Sequence, residues 1–132
     1  RLLDHPNIIK IFEIFEDDTE YYIVMEYCQG GELYEKIKQH KTFPERECAD
    51  ILRQLICVIS FLHSKRIAHR DVKPENIMLE ERASEISLRL CDFGEATHLN
   101  DDGHCVGYCG TSYYLPPEIA NNQPYTEKCD IW

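Results

Sequence analysis

His69-Arg70-Asp71-Val72-Lys73-Pro74-Glu75-Asn76 is the stretch on which the reading of this chain turns, and it does not stand alone. Sixteen residues after Asn76 comes Asp92-Phe93-Gly94, then Gly110-Thr111 and Pro116-Pro117-Glu118. Each piece is weak by itself, since a tripeptide such as Asp-Phe-Gly turns up by chance in many proteins. The order and spacing of the pieces carry the signal. Asn76 and Asp92 offer hard oxygen ligands from two separate segments, beside a carboxylate at Asp71 and a cation at Lys73.

Working outward, residues 8–15 and 21–27 are rich in Ile, Val, Phe and Tyr and flank Glu16-Asp17-Asp18-Thr19-Glu20, which predicts two antiparallel strands and a turn. Gln29-Gly30-Gly31 breaks that pattern, and residues 32–40 read as a short helix with Lys36 and Lys38 toward its end. Thr42-Phe43-Pro44-Glu45 has the capping-box spacing. Cys48, Leu52, Leu55, Ile56, Ile59 and Leu62 then recur near a period of 3.6, predicting a helix from Glu45 to Ser64 with one buried face. Residues 77–79 and 86–90 read as short strands, and residues 94–116 as a long loop, which in a compact domain is more often functional than accidental.

The chain has 132 residues, of which 43% are hydrophobic and 29% charged, enough for a folded core and too apolar for a disordered tail. Its 14 Lys and Arg against 24 Asp and Glu leave a net charge of -10, which argues against nucleic-acid and anionic-membrane binding and favours basic partners. Seven Cys, an odd number with no C-x-x-C pair, point to a reduced cytoplasmic or nuclear protein. No stretch is apolar enough to span a membrane, and no signal peptide is visible.

In order and spacing the motifs resemble the signature set of the eukaryotic protein kinases, of serine/threonine type. The resemblance implies an α+β, two-lobed kinase fold, here partial: residues 1–29 as a remnant of the N-lobe with the hinge, and residues 30–132 as a C-lobe with catalytic loop and activation segment. It implies ATP and Mg²⁺ as cofactors. Asp71 would accept the proton of the substrate hydroxyl, Lys73 would place a cation on the transferring phosphoryl group, and Asn76 and Asp92 would hold the metal and the ATP phosphates. Met25-Glu26-Tyr27-Cys28 resembles the hinge, with Met25 as gatekeeper and the Glu26 carbonyl and Cys28 N–H reading the adenine edge. Glu32 would contact the ribose, and Met78 and Leu33 the purine. Thr111 would bond Asp71 and Lys73. Arg70 would grip an activation-segment phosphate, Phe93 with His69 and Ile11 would stack as a spine, and Gly94, Glu118 and Asp130 would hold the activation segment and catalytic loop in place.

Asp4-His5-Pro6-Asn7-Ile8-Ile9, Gly30-Gly31-Glu32-Leu33 and residues 125–132 most resemble the calcium- and calmodulin-dependent group, including the calcium-dependent kinases of protists and plants. Substrates would be proteins with Ser or Thr, with basic residues upstream selected by Glu32 and Glu75, and Thr111 near the acceptor. Calcium or calmodulin regulation would act through regions outside this chain.

The pattern also departs from the family. No Gly-rich strand, V-A-I-K lysine or helix C glutamate is present, and the chain opens on Arg1, so the expectation is a fragment that is inactive alone. Gly107 stands four residues before Thr111, where relatives activated by loop phosphorylation carry Ser or Thr, so control by an outside regulator is expected. His98, His104, Cys105 and Cys109 lack a standard zinc spacing, and residues 100–103 read as a solvated turn. Cys91 reads as a small buried filler, with a thiol facing the ATP site as the alternative. Two alternatives for the whole stay open: a pseudokinase-like binding scaffold, and an inactive truncated product whose half cleft exposes apolar surface.

Overall fold

Apolar residues at three- and four-residue spacing build helix α2 (Glu45–Ser64), the longest element of the computed structural model, which describes residues 3–40, 42–82 and 85–132. Its start differs from the capping-box expectation. The extended residue before the first turn is Pro44, and no side chain caps the helix, because Thr42 lies two residues too early to reach its free amides. Glu45 and Glu47 supply the negative charge that the N-terminal dipole favours. The buried face is also turned from the expected one. Ile51, Val58, Ile59 and Leu62 are buried, whereas Leu52 and Ile56 are more than half exposed. A 3.6 period permits neighbouring stripes, and packing against the strand hairpin that follows selects between them.

That hairpin joins β4 (Ile77–Arg82) to β5 (Glu85–Leu90) in antiparallel register, Ile77 opposite Leu90 and Leu79 opposite Leu88. Period-2 alternation sends Leu79, Leu88 and Leu90 into the main core, with Ile8, Leu33, Ile51, Val58, Leu62, Ile67 and Ile77. Leu79, Leu88 and Leu90 are fully buried, a gain of about 1.5–3 kcal/mol each. β4 runs past the predicted residues 77–79, because the polar Glu80-Glu81-Arg82 continuation is paired by backbone rather than by an apolar face.

The edge of β5 is closed by two side chains. Gln54, on α2, accepts the Leu88 N–H (3.0 Å) and donates to the Ile86 carbonyl (2.9 Å), and Asn7 Nδ2 adds bonds to Gln54 (3.0 Å) and the Leu88 carbonyl (2.9 Å). These contacts satisfy strand groups that would otherwise be buried unpaired. Beyond them, Leu90 donates to the Asn7 carbonyl and accepts from the Ile9 N–H, tying residues 7–9 to the same strand.

β1 (Ile11–Glu16) and β2 (Tyr21–Met25) form the expected antiparallel pair, with a register irregularity between Ile11 and Glu13. Its turn is built by Asp17, whose carboxylate accepts the Thr19 and Glu20 N–H groups and the Thr19 and Tyr22 hydroxyls and is held down to about 2 by those bonds, the Thr19 N–H first. Helix α1 (Leu33–Gln39) follows the glycines. Gly30 is required by close approach: a Cβ there would lie 2.6 Å from the Leu79 carbonyl oxygen, which accepts the Gly30 N–H.

Two short strands escape the sequence reading, β3 (Ile67–Ala68) and β6 (Thr97–His98), which pair antiparallel. The remainder of residues 94–116 is loop with one 3₁₀ turn, Ser112–Tyr114, followed by α3 (Pro117–Ala120) and a 3₁₀ helix, Glu127–Ile131. A second core gathers Ala68, Cys105, Cys109, Ile119, Tyr125 and Cys129 under this loop. The architecture is α+β. No helix among the described residues is long and apolar enough to cross a membrane.

Candidate active site

Arg70 (φ 70°), in the loop after β3, and Asp92 (φ 57°), just after β5, both have left-handed backbone. Such conformations cost about 1–3 kcal/mol and persist where surrounding bonds over-determine them. At Arg70 the bonds come from Asp130. Its carboxylate side chain is fully buried and accepts the His69 N–H (2.9 Å), the Arg70 N–H (2.8 Å) and His63 Nε2 (2.8 Å). A carboxylate from the C-terminal 3₁₀ helix thus bonds the two amides just before Asp71.

Asp71 itself is buried, and every oxygen contact has a partner of known identity. Oδ1 accepts the Thr111 hydroxyl (2.7 Å), and Oδ2 accepts Lys73 Nζ (2.8 Å) and Asn76 Nδ2 (3.0 Å). Burial alone would raise the Asp71 carboxyl. The bonds from Lys73 and Thr111, the Lys73 charge and the Asn76 amide together outweigh it and hold the group below its ordinary value. The bond to Asp71 in turn raises Lys73, whose ammonium also donates to Thr111 Oγ1 at 2.6 Å. Thr111 therefore links acid and cation across forty residues of chain.

The approach of Thr111 depends on Gly110. With φ at 93° and a Cβ that would sit 2.7 Å from the Arg70 carbonyl oxygen, that position admits only glycine without displacement.

His69 stacks edge-on against Phe93 at 4.8 Å between ring centres, and its Nε2 contacts the Cys91 carbonyl. Burial pushes its pKa down and keeps it neutral. Ile11, expected in the same stack, is 49% exposed on β1, which pairs with β2. Asp92 is exposed, with Oδ1 accepting the Gly94 N–H at 3.2 Å. Cys91 Sγ donates to the Asn76 carbonyl and its thiol is pushed up to about 11 by burial, which fits the filler reading over the reactive one.

At the strand end, Met25 closes β2 and is half exposed, whereas Cys28 is buried. The Glu26 carboxylate pairs with Arg89 Nε at 3.3 Å, and Arg89 Nη2 reaches Glu80 at 3.1 Å, so β4 and β5 hold the residue after β2. Glu32 is exposed and its backbone bridges Met78, while Leu33 belongs to the main core. Glu75 lies near Tyr114, whose phenol is raised by burial and then by the Glu75 charge, and Glu75 Oε2 is buried with no hydrogen-bond partner among the described residues. Glu118 opens α3, and its carbonyl accepts the Gln123 N–H. Of the thiol and imidazole cluster, Cys105 and Cys109 lie in the second core while His104 sits in a turn capped by Asn100 Oδ1, so the residues are not brought to one centre.

Sequence reasoning missed His63, Arg89, Gln54 and Tyr125 as contributors. Each makes its contact across 16 to 67 residues of chain, and no local spacing marks it.

Among the described residues no three His, Cys, Asp or Glu side chains converge as a metal cage. The donors present still fit Mg²⁺. Asn76 spends its Nδ2 on Asp71, which directs its amide oxygen elsewhere, and Asp92 presents an exposed carboxylate. Mg²⁺ is characteristically held by one or two such oxygens completed by substrate phosphates.

A family model described as "Protein kinase domain" matches residues 1–132. The chain is 42% identical over 130 residues to calcium-dependent protein kinase 5 of Plasmodium berghei (strain Anka), covering 98% of this chain and 23% of that protein. It is 41% identical over 133 residues to calcium-dependent protein kinase 4 of Plasmodium falciparum (isolate 3D7), covering 100% and 25%. It is 40% identical over 131 residues to calcium-dependent protein kinase 3 of Plasmodium yoelii yoelii, covering 98% and 24%. The chain thus spans about a quarter of the length of the curated relatives it matches. With the motifs in family order and a kinase-domain match from end to end, the chain belongs to the protein kinase domain family.

Proposed function

We propose that this chain carries the catalytic loop and activation segment of an ATP-dependent protein serine/threonine kinase. The observation that carries the reading is the bonding of Asp71 to Lys73 and Thr111, at 2.8 and 2.7 Å. Phosphoryl transfer needs little covalent help, so positioning and charge neutralisation supply most of the catalysis. Asp71, kept ionised, takes the hydroxyl proton of the incoming Ser or Thr and orients its oxygen. Lys73 is charged and already aligned with Asp71, so it meets the phosphoryl group without reorganisation. Asn76 and Asp92 would hold Mg²⁺, which when bound neutralises phosphate charge. The backbone of Glu26 and Cys28 would hold the adenine of ATP, with Met25, Glu32 and Met78 around the nucleoside.

The carboxylates of exposed Glu32 and half-buried Glu75 support a preference for basic residues upstream of the acceptor, which a substrate guanidinium would pair. Calcium regulation, suggested by the names of the relatives, or calmodulin regulation would act through regions outside residues 1–132. Seven free thiols support a cytoplasmic or nuclear setting.

The test is transfer of labelled phosphate from ATP and Mg²⁺ by the full-length gene product to a Ser peptide with upstream Arg, to its Arg→Ala counterpart and to a Tyr peptide. The Arg-containing Ser peptide is expected to be labelled fastest, with Asp71→Asn abolishing transfer. Labelling equal to that of Asp71→Asn, with ATP still bound, supports the scaffold reading instead, and preferential labelling of Tyr refutes the acceptor class.

A further inference from the structure

The Arg70 guanidinium lies beside the site with only neutral partners among the described residues. Nε donates to the Glu95 carbonyl, and Nη1 donates to the Tyr125 hydroxyl at 2.9 Å. A part-buried cation with no anion against it is unusual. What stands in the anion's place is a phenol, and its bonds lead directly to the activation segment.

Tyr125 is 3% exposed. Its hydroxyl accepts from Arg70, meets Cys109 Sγ at 3.3 Å and donates to the Gly107 carbonyl at 3.2 Å. That is a complete and consistent set for one hydroxyl, with a single proton donated and two lone pairs filled. Burial raises the phenol well above its ordinary value, so the proton that reaches Gly107 stays in place across the physiological range. The Tyr125 backbone is joined to Cys105 in both directions, at 2.7 and 3.0 Å. The activation segment is therefore fastened to one residue at Cys105, Gly107 and Cys109, and Gly110 and Thr111, the next two residues, deliver the hydroxyl to Asp71.

We propose that Tyr125 is a positioning residue whose hydroxyl, bridging Arg70 to the Gly107 carbonyl, takes the part of an activation-segment phosphate and holds Thr111 on Asp71. The proposal rests on the kinase reading above and specifies how that site is kept assembled. It fits the glycine at 107, whose φ of 103° excludes most side chains and whose carbonyl, not a modified side chain, faces the cation's partner. A phosphate would act through charge on Arg70 and be removable. The phenol acts through geometry and is permanent.

Tyr125→Phe removes only the hydroxyl, and two readouts on the full-length gene product test it. Amide exchange over residues 105–111 is expected to quicken by about tenfold, the worth of one hydrogen bond to a charged group. The kcat is expected to fall by about tenfold with the KM for ATP unchanged, a split that general destabilisation would not produce. Phosphatase treatment of the wild type is expected to leave its rate intact. Unchanged exchange in Tyr125→Phe overturns the proposal. So does a phosphatase-sensitive wild type with its phosphate mapped between Gly94 and Thr111. If the wild type transfers no phosphate at all, the kinase reading fails, and the exchange comparison still decides this one. Should Tyr125→Phe not fold, Arg70→Gln is read the same way: quicker exchange over 105–111 supports the bridge and unchanged exchange overturns it.

Discussion

Replacing Asp130 by Ala removes a fully buried carboxylate that accepts the His69 and Arg70 amides and His63 Nε2. The Asp130 side chain is fully buried, so its removal leaves the two amides without their acceptor inside the fold. Each amide left buried without an acceptor costs about 1–3 kcal/mol, so two cost about 4 kcal/mol together. A carboxylate acceptor makes stronger bonds than a neutral one, which puts the value toward the upper half of that range. At about 1.4 kcal/mol per tenfold, protection of these two amides should fall by several hundredfold. The assay is residue-resolved amide hydrogen exchange at His69 and Arg70, with the β4 and β5 amides as internal controls. His63→Ala removes one donor and leaves both amides bonded, so it should change their protection by less than about tenfold. Protection of His69 and Arg70 in Asp130→Ala within about threefold of wild type, an energy below the smallest cost assigned to a single lost bond, would refute the reasoning.

Thr111→Val keeps the shape but removes the hydroxyl between Lys73 and Asp71; transfer rate should fall by about tenfold or more with nucleotide binding retained, and Thr111→Ser should recover it. Titration of His69 should be visible in stability. Its folded pKa is depressed by burial, against the raising influence of Asp130, Asp71 and Asp92, so the unfolded chain binds the proton first. Stability is full above the unfolded value of 6.5 and falls as pH drops below it, and Asp71, also depressed, adds a further loss as pH falls below 3.8. Melting temperature followed from pH 8 to 5 checks the first step, and a flat profile contradicts it. Cys91, with its thiol at about 11, should alkylate after the exposed Cys48 and Cys57, as peptide mapping of partial labelling at neutral pH would show.

Much of the site was legible in the chain because its residues lie in short runs whose spacing reflects local geometry. His69 through Asn76 form one loop, and Asp92 through Gly94 form the turn after a strand. The strands at 11–16, 21–25 and 85–90 and the helix at 45–64 were legible for the same reason, since side-chain period reports local backbone. The span of α2 was read correctly but its cap was not, because a capping box is a pattern of residue types, and Pro44 sets the first turn two residues later than that pattern needs.

What the sequence by itself determined was the family, the main strands and helices, and Asp71, Lys73, Asn76 and Asp92 as the candidate site. Only the tertiary structure decided which stripe of α2 is buried, that Gln54 closes the edge of β5, and that Asp130 and His63 pin the loop in front of Asp71. It alone placed Tyr125 between Arg70 and Gly107. Periodicity and motif spacing record interactions between residues a few positions apart, whereas these contacts close over 16 to 67 residues. Such contacts exist only once the chain has folded back on itself.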